Sequence, residues 1–326
     1  MPRQAVVILG CGWIARRHAA AARRIGLPVA FASRDLGRAR AYAREFGGIA
    51  AYGGYEEALR EPDITGAIVC TPHDRHLADA RQALARGKHV LVEKPIARTL
   101  DEADRMIGAA LDAGLQLMVA ENFRFMPAFR HVKTLLEEAR IGRLRELHLV
   151  SRGFRLPSGW RGDAGAAGGG ALIDGGIHYV HNLRWWGGPV RRVFALRPAQ
   201  TLTAMTAEDA VAILAELADG VVGFLSNSLA APGLPRFQWS TVTGTEGTCF
   251  ADNRGRLVAV RGRGGWKARL FARDTRGHAA MLSAFRETMK TGSASEMGGA
   301  SGRADLAIVL AAYRSIAERR PVEVVC

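Results

Sequence analysis

Through the first 122 residues, short apolar runs alternate with amphipathic stretches at the rhythm of a parallel sheet. The runs predict strands over 5–10, 28–33, 49–52, 66–71, 89–92 and 115–121. Between them, apolar residues recur at helical spacing over 13–25, 36–46, 55–60, 75–85 and 100–113. Strand–helix alternation with right-handed crossovers gives an open, doubly wound α/β sheet. Residues 1–122 are therefore expected to form a Rossmann-type domain.

Past Asn122 the pattern changes. A helix over 128–139 leads into strand-like runs at 144–152, 190–196, 211–217, 221–229, 239–244 and 257–260. These lie close together, and Asp219-Gly220 reads as a hairpin turn. Residues 123–326 are expected to form an α+β domain with a mostly antiparallel open sheet, closed by helices over 278–290 and 302–319. The one biased segment, residues 162–170, reads GDAGAAGGG and is expected to be an active-site loop.

Composition narrows the class. The 326 residues are 48% hydrophobic and 23% charged, enough for two packed cores. No apolar run reaches the roughly 18 residues a membrane helix needs. The chain enters its first strand without a signal-peptide layout, and Arg16-Arg17 fall inside the first predicted helix, so a cytoplasmic location is expected. Cys11, Cys70, Cys249 and Cys326 lie far apart, with no metal-type spacing, which suits a reducing compartment. The net charge of +14 is spread along the chain without a helix-turn-helix, zinc or RNA-binding signature. Nucleic acid is not the expected partner, because an anionic cofactor is reason enough for local basic clusters.

The first chemical motif is Gly10-Cys11-Gly12-Trp13-Ile14-Ala15, which follows an apolar strand and opens a helix. This is G-x-G-x-x-A in the context that dinucleotide binding requires. Gly10 permits a tight turn and Gly12 a close approach of backbone to pyrophosphate, while Trp13 and Ile14 begin the helix whose free N–H groups face the phosphates. At the end of the second strand stand Ser33, Arg34 and Asp35, with Arg38 one turn on. A carboxylate there usually holds the NAD ribose, but Asp35 is well placed as a helix cap. Ser33, Arg34 and Arg38 suit a 2′-phosphate, so NADP(H) is favoured, with NAD(H) the alternative.

Three further segments complete the pattern. Thr71-Pro72-His73-Asp74-Arg75-His76 ends the fourth strand, Glu93-Lys94-Pro95 ends the fifth, and Gly168-Gly169-Gly170-Ala171-Leu172-Ile173-Asp174-Gly175-Gly176-Ile177-His178 begins a helix in the second domain. With the glycine motif, the T-P-x-x-x-H turn, the E-K-P tripeptide and the G-G-G-x-L-x-D-x-G-x-H run resemble the glucose-fructose oxidoreductase / inositol dehydrogenase family, also called Gfo/Idh/MocA. The likeness runs in order from Ile8 to about Gly187, with a fainter echo in the last helix and Arg320-Pro321-Val322.

The resemblance implies a hydride transfer between a nicotinamide and a hydroxyl or keto carbon of a sugar, keto-sugar or cyclitol. It implies Lys94, Asp174 and His178 as catalytic residues. Lys94 donates to the reacting oxygen, His178 exchanges the hydroxyl proton, and Asp174 orients substrate or histidine. Asp174 and His178, four residues apart, share one face of a helix. The Lys94–Pro95 bond is a candidate cis bond. Thr71, Pro72, His73, His76, Glu93, Lys94 and Asn122 are expected at the cofactor. Arg124, Trp160, Arg161 and His181 are expected at the substrate, the tryptophan stacking on a ring face.

His181 departs from the family's more usual Asp. It completes a D-x-x-x-H-x-x-H pattern, yet a metal site would leave the glycines and the E-K-P segment without a purpose, so no metal is expected. Two other readings stay open, a trans-dihydrodiol-type dehydrogenase and a non-catalytic dinucleotide-binding regulator. An uncovered sheet face needs a partner, so the resemblance also implies a homodimer or homotetramer joined through the second domain.

Overall fold

The computed structural model describes residues 4–232 and 238–325, so Cys326 lies outside the described residues. The chain divides into two compact units: residues up to Glu121 with His278–Arg303, and Asn122–Gly277 with residues from Ala304 onward.

In the first unit, six strands form a wholly parallel sheet: β1 (Ala5–Leu9), β2 (Val29–Ala32), β3 (Ala50–Tyr52), β4 (Ile64–Val69), β5 (His89–Glu93) and β6 (Leu117–Ala120). Their order is β3-β2-β1-β4-β5-β6, so the winding reverses between β1 and β4, where such sheets bind ligands. β1 is buried along its whole length, which its unbroken AVVIL run requires. The crossover helices are α1 (Trp13–Arg24), α2 (Leu36–Phe46), α3 (Tyr55–Arg60), α4 (His76–Ala85) and α5 (Leu100–Asp112). Asp35 caps α2 by accepting the Arg38 N–H at 3.1 Å, and Thr99 caps α5 in the same way.

The sequence pattern divides the chain once, near residue 122; the contacts return a later segment to the first unit. Helix α9 (His278–Thr291) is assigned here because its apolar side chains meet β4, where Gly66 leaves room for Phe285 and Met289. Arg286 donates to the Ile25 carbonyl at 3.1 Å, and Val119 donates to the Met297 carbonyl at 2.8 Å.

The second unit holds α6 (Pro127–Glu137), a short α7 (Ala164–Ala167), α8 (Ile177–Gly187) and a nine-stranded sheet. Its strands are β7 (Leu144–Arg152), β8 (Val190–Leu196), β9 (Ala210–Leu217), β10 (Val222–Ser228), β11 (Gln238–Gly244), β12 (Thr248–Asp252), β13 (Leu257–Gly262), β14 (Gly265–Leu270) and β15 (Val322–Glu323). All pairs are antiparallel except β7 with β10. Asp219 and Gly220 both take positive φ at the β9–β10 hairpin, as that turn demands. α10 (Gly299–Glu318) belongs to the first unit as far as Arg303 and to the second beyond it.

The sheet is two-faced. Leu147, Leu149, Ile213, Leu225 and Val242 are buried on one side. On the other, cross-strand partners Leu214, Phe224, His148, Thr241 and Phe250 form one row, and Leu214, Phe224 and Phe250 are among the exposed large hydrophobics.

Candidate active site

The turn after β1 is built for close approach. Gly10 has φ +92°, and a Cβ there would press on the Cys70 carbonyl and Thr71 at 3.1–3.2 Å. Around Gly12, by contrast, a Cβ would meet nothing within 4 Å. Gly12 begins α1 without a side-chain cap, and the first turn of α1 carries no acid, so its positive end is uncompensated. Thr71, 7% exposed, keeps a buried hydroxyl with no hydrogen-bond partner among the described residues. An open helix N-terminus beside an unsatisfied hydroxyl fits the pyrophosphate of a dinucleotide. Trp13 is exposed and Ile14 half-buried at this edge, with Pro72 half-buried and His73 buried in the turn after β4.

At the end of β2, Ser33 is buried and accepts the Asp35 N–H at 3.2 Å, while Arg34 and Arg38 are exposed. Asp35 is engaged with α2, as its position implied.

Two residues expected at the cofactor do other work. His76 is fully buried, with Nδ1 2.9 Å from the Pro95 carbonyl and Nε2 3.1 Å from the Thr71 carbonyl. It ties two loops together and has no ring nitrogen left for a ribose. Burial pushes its pKa down, so the neutral ring donates to one carbonyl at a time. Glu93 is also turned inward. Its Oε1 lies 2.7 Å from His18 Nε2, and its Oε2 accepts the Lys94 N–H at 3.2 Å. Burial raises this carboxyl, but the His18 contact, then Lys94 and His278, outweigh it and hold the pKa at about 2. Glu93 is thus an anchor for the segment that carries Lys94. Lys94 itself is half-buried at the tip of β5, and its bond to Pro95 is cis. Sequence reasoning missed His18; its place four residues after Ile14, on the buried face of α1, was the only signal available.

In the second unit, the glycine-rich run is a close-packing device. A Cβ on Gly169 would run into the Tyr313 hydroxyl, and one on Gly170 into the Glu208 carbonyl. Tyr313 accepts the Gly170 and Ile173 N–H groups at 3.3 Å each and donates to Glu208 at 2.9 Å. Glu208 also accepts the Leu172 N–H at 3.0 Å. These contacts hold a π-helical turn, Leu172–Gly176, ahead of α8, where a plain helix was expected. Asp174 stands in that turn and His178 in the first turn of α8.

Asp174 is 8% exposed and gripped from two sides: Arg155 Nη2 lies 3.0 Å from Oδ2, and Arg161 Nε lies 3.4 Å from Oδ1. Trp160 carries the Arg161 guanidinium 4.4 Å above its ring. The half-buried His178 imidazole lies flat on Phe123, with centroids 4.5 Å apart and planes 14° apart. Asn122, buried just before Phe123, donates to the Arg276 carbonyl at 2.8 Å. Arg155 and Phe123 were not anticipated, since nothing in their sequence spacing relates them to Asp174 or His178.

His181 does not reach a substrate. It is wholly buried, with Nδ1 2.8 Å from Asp305, which also accepts from Arg184 Nε at 2.7 Å. Burial raises the Asp305 carboxyl, and His181 and Arg184 more than reverse that, so its pKa falls below the ordinary value. Arg124 stacks on Trp185 at 4.4 Å near this pair, and burial pushes its pKa down. Among the described residues there is no cluster of His, Cys, Asp and Glu suited to a metal, and no helix long and apolar enough to cross a membrane.

Comparison with known proteins bears on both units. Residues 4–121 match the model of an oxidoreductase family with an NAD-binding Rossmann fold, and residues 129–250 match the GFO/IDH/MocA C-terminal domain. The chain is 32% identical to trans-1,2-dihydrobenzene-1,2-diol dehydrogenase of Mus musculus over 67% of its own length and 64% of that protein's. It is 35% identical to 1,5-anhydro-D-fructose reductase of Ensifer adhaerens over 55% of each chain. The matched stretches thus span less than two thirds of these relatives. Among solved structures, GenD2 from gentamicin A biosynthesis, in complex with NAD, superposes with a TM-score of 0.87 at 27% identity, covering 100% of this chain and 97% of that one. With both halves matched in order and the first sheet parallel and doubly wound as expected, this chain belongs to the Gfo/Idh/MocA family.

Proposed function

We propose that the chain is a nicotinamide-dependent oxidoreductase acting on a hydroxyl or keto carbon of a sugar-like or cyclitol-like molecule. The observation that carries this reading is the setting of His178: a half-buried imidazole held flat on Phe123, four residues after a carboxylate that two arginines fix in place. An imidazole ring nitrogen in this position can take a proton from a substrate hydroxyl and return it. The family resemblance assigns to Lys94, whose backbone N–H is held by Glu93, the stabilising of negative charge as it develops on a reacting oxygen. The bound nicotinamide supplies or accepts the hydride.

NADP(H) is the favoured cofactor, supported by Ser33 and the exposed Arg34 and Arg38 at the end of β2, with the nearest acid committed to capping α2. A homodimer or homotetramer through the outer face of the nine-stranded sheet belongs to the same reading. Leu196, Leu214, Val222 and Phe224 are exposed there on the adjacent strands β8, β9 and β10, with Phe250 further across the sheet on β12. A second copy offers the matching apolar row, and Phe224→Glu should then lower the mass measured in solution. Cys11, Cys70 and Cys249 are buried free thiols, which supports a cytoplasmic setting.

The test is a panel of polyols, keto-sugars and cyclitols assayed at 340 nm with each nicotinamide. His178→Ala and Lys94→Ala should each lower kcat by about 100-fold or more on the substrate found. Wild-type turnover in either variant would remove that residue from the mechanism.

A further inference from the structure

The Asp174 cluster carries more positive charge than the aspartate can use. One bidentate arginine satisfies a carboxylate, since the guanidinium fork matches both oxygens. Here two arginines each spend a single contact on it, Arg155 through Nη2 and Arg161 through Nε. Among the described residues neither side chain has another hydrogen-bond partner, although each guanidinium offers five N–H donors. Taken by themselves, the three side chains sum to one net positive charge. The side chains of Arg155 and Arg161 are 49% and 30% exposed, so both reach open space while that of Asp174 lies beneath them, largely buried. Trp160 supports one face of Arg161 and leaves its donor edge as the part able to bind.

We propose that the substrate of this site carries a carboxylate, as an aldonic or uronic acid does, and that Arg155 and Arg161 bind it beside Asp174. This rests on the dehydrogenase reading above. A monoanion matches the single spare charge, whereas the dianion of a phosphate ester exceeds it. The carboxylate takes no part in bond making; the hydride still leaves one carbon for the nicotinamide and the proton leaves that carbon's hydroxyl for His178. Its part is to fix which carbon meets His178, a role that suits arginine because the fork sets direction as well as charge.

The experiment compares matched pairs, a neutral sugar or lactone and the acid of the same configuration, with the corresponding sugar phosphate as a third arm. Turnover is followed at 340 nm, and binding by the fluorescence of NADPH already on the protein. The acid should show at least tenfold higher kcat/KM than its neutral partner. Its binding should weaken with added salt, and Arg155→Gln and Arg161→Gln should each weaken it by ten- to a hundredfold. Equal or better use of the neutral partner overturns the proposal and leaves the dehydrogenase reading standing, as does a preference for the phosphate. Variants that weaken both members of a pair equally also overturn it. Cofactor binding with no turnover of any member overturns both readings.

Discussion

Replacing His18 with alanine leaves the Glu93 carboxylate buried, 7% exposed, without its main partner. The magnitude follows from the titration of Glu93. Its pKa in the folded chain is about 2 against an ordinary 4.5, a depression of about 2.5 that corresponds to roughly 3 kcal/mol of stability at neutral pH. Leaving a buried charge without its hydrogen-bonded partner costs about 3–5 kcal/mol in other proteins, so the two routes agree. The sign is set by the depression. A carboxyl whose folded pKa is lowered contributes fully above its unfolded value and loses that contribution as pH falls through 4.5 toward 2.

A double-mutant cycle isolates the pair, because the space left by His18→Ala appears in both arms and cancels. Wild type, His18→Ala, Glu93→Gln and the double variant are unfolded in urea at pH 7 and again at pH 4. We expect a coupling of up to roughly 3 kcal/mol at pH 7, shrinking by about 0.8 kcal/mol at pH 4 as Glu93 in the unfolded chain takes up its proton. A coupling below about 1 kcal/mol at pH 7, or one that does not change with pH, would refute the account of Glu93 as a charged anchor.

Other substitutions test other parts of the site. Gly170→Ala drives a Cβ into the Glu208 carbonyl and should cost about 1–3 kcal/mol in urea unfolding, whereas Gly175→Ala, with open space around it, should cost less. Asp305→Asn leaves His181 and Arg184 without their carboxylate and should destabilise by roughly 3–5 kcal/mol at pH 7. Because the Asp305 pKa is lowered, that penalty should diminish as pH falls below the ordinary aspartate value. Arg34→Ala should raise the Kd for NADPH about ten- to a hundredfold more than that for NADH by fluorescence titration, and equal effects would rule out a 2′-phosphate contact.

What the sequence revealed tracks how local each signal is. The six parallel strands and their helices were readable because each is a continuous apolar run or a helical repeat within one stretch of chain. The Asp219-Gly220 hairpin was readable because positive φ selects those residue types. β14 was not, since every residue from Gly265 to Leu270 is exposed and the strand exists only through pairing with β13. The π-helical turn was likewise hidden, because it is held by Glu208 and Tyr313, far along the chain from Leu172.

The site residues divide along the same line, and His181 shows why. Read along the helix, Asp174, His178 and His181 share a spacing that suits a common ligand. The partner that decides the matter, Asp305, is 124 residues away and buried with it. Once paired, His181 has one nitrogen committed and the other sealed from solvent, so it can support the helix that carries His178 but cannot meet a substrate. The same holds for Glu93, whose place beside Lys94 suggested the cofactor until His18, 75 residues earlier, claimed it. In both cases a polar residue next to a catalytic one is taken inward by a partner that one-dimensional spacing cannot show. Asp174 is the opposite case, where the distant partners Arg155 and Arg161 bring in an unspent positive charge. The electrostatic character of this site is therefore set by residues outside the motifs that identify the family.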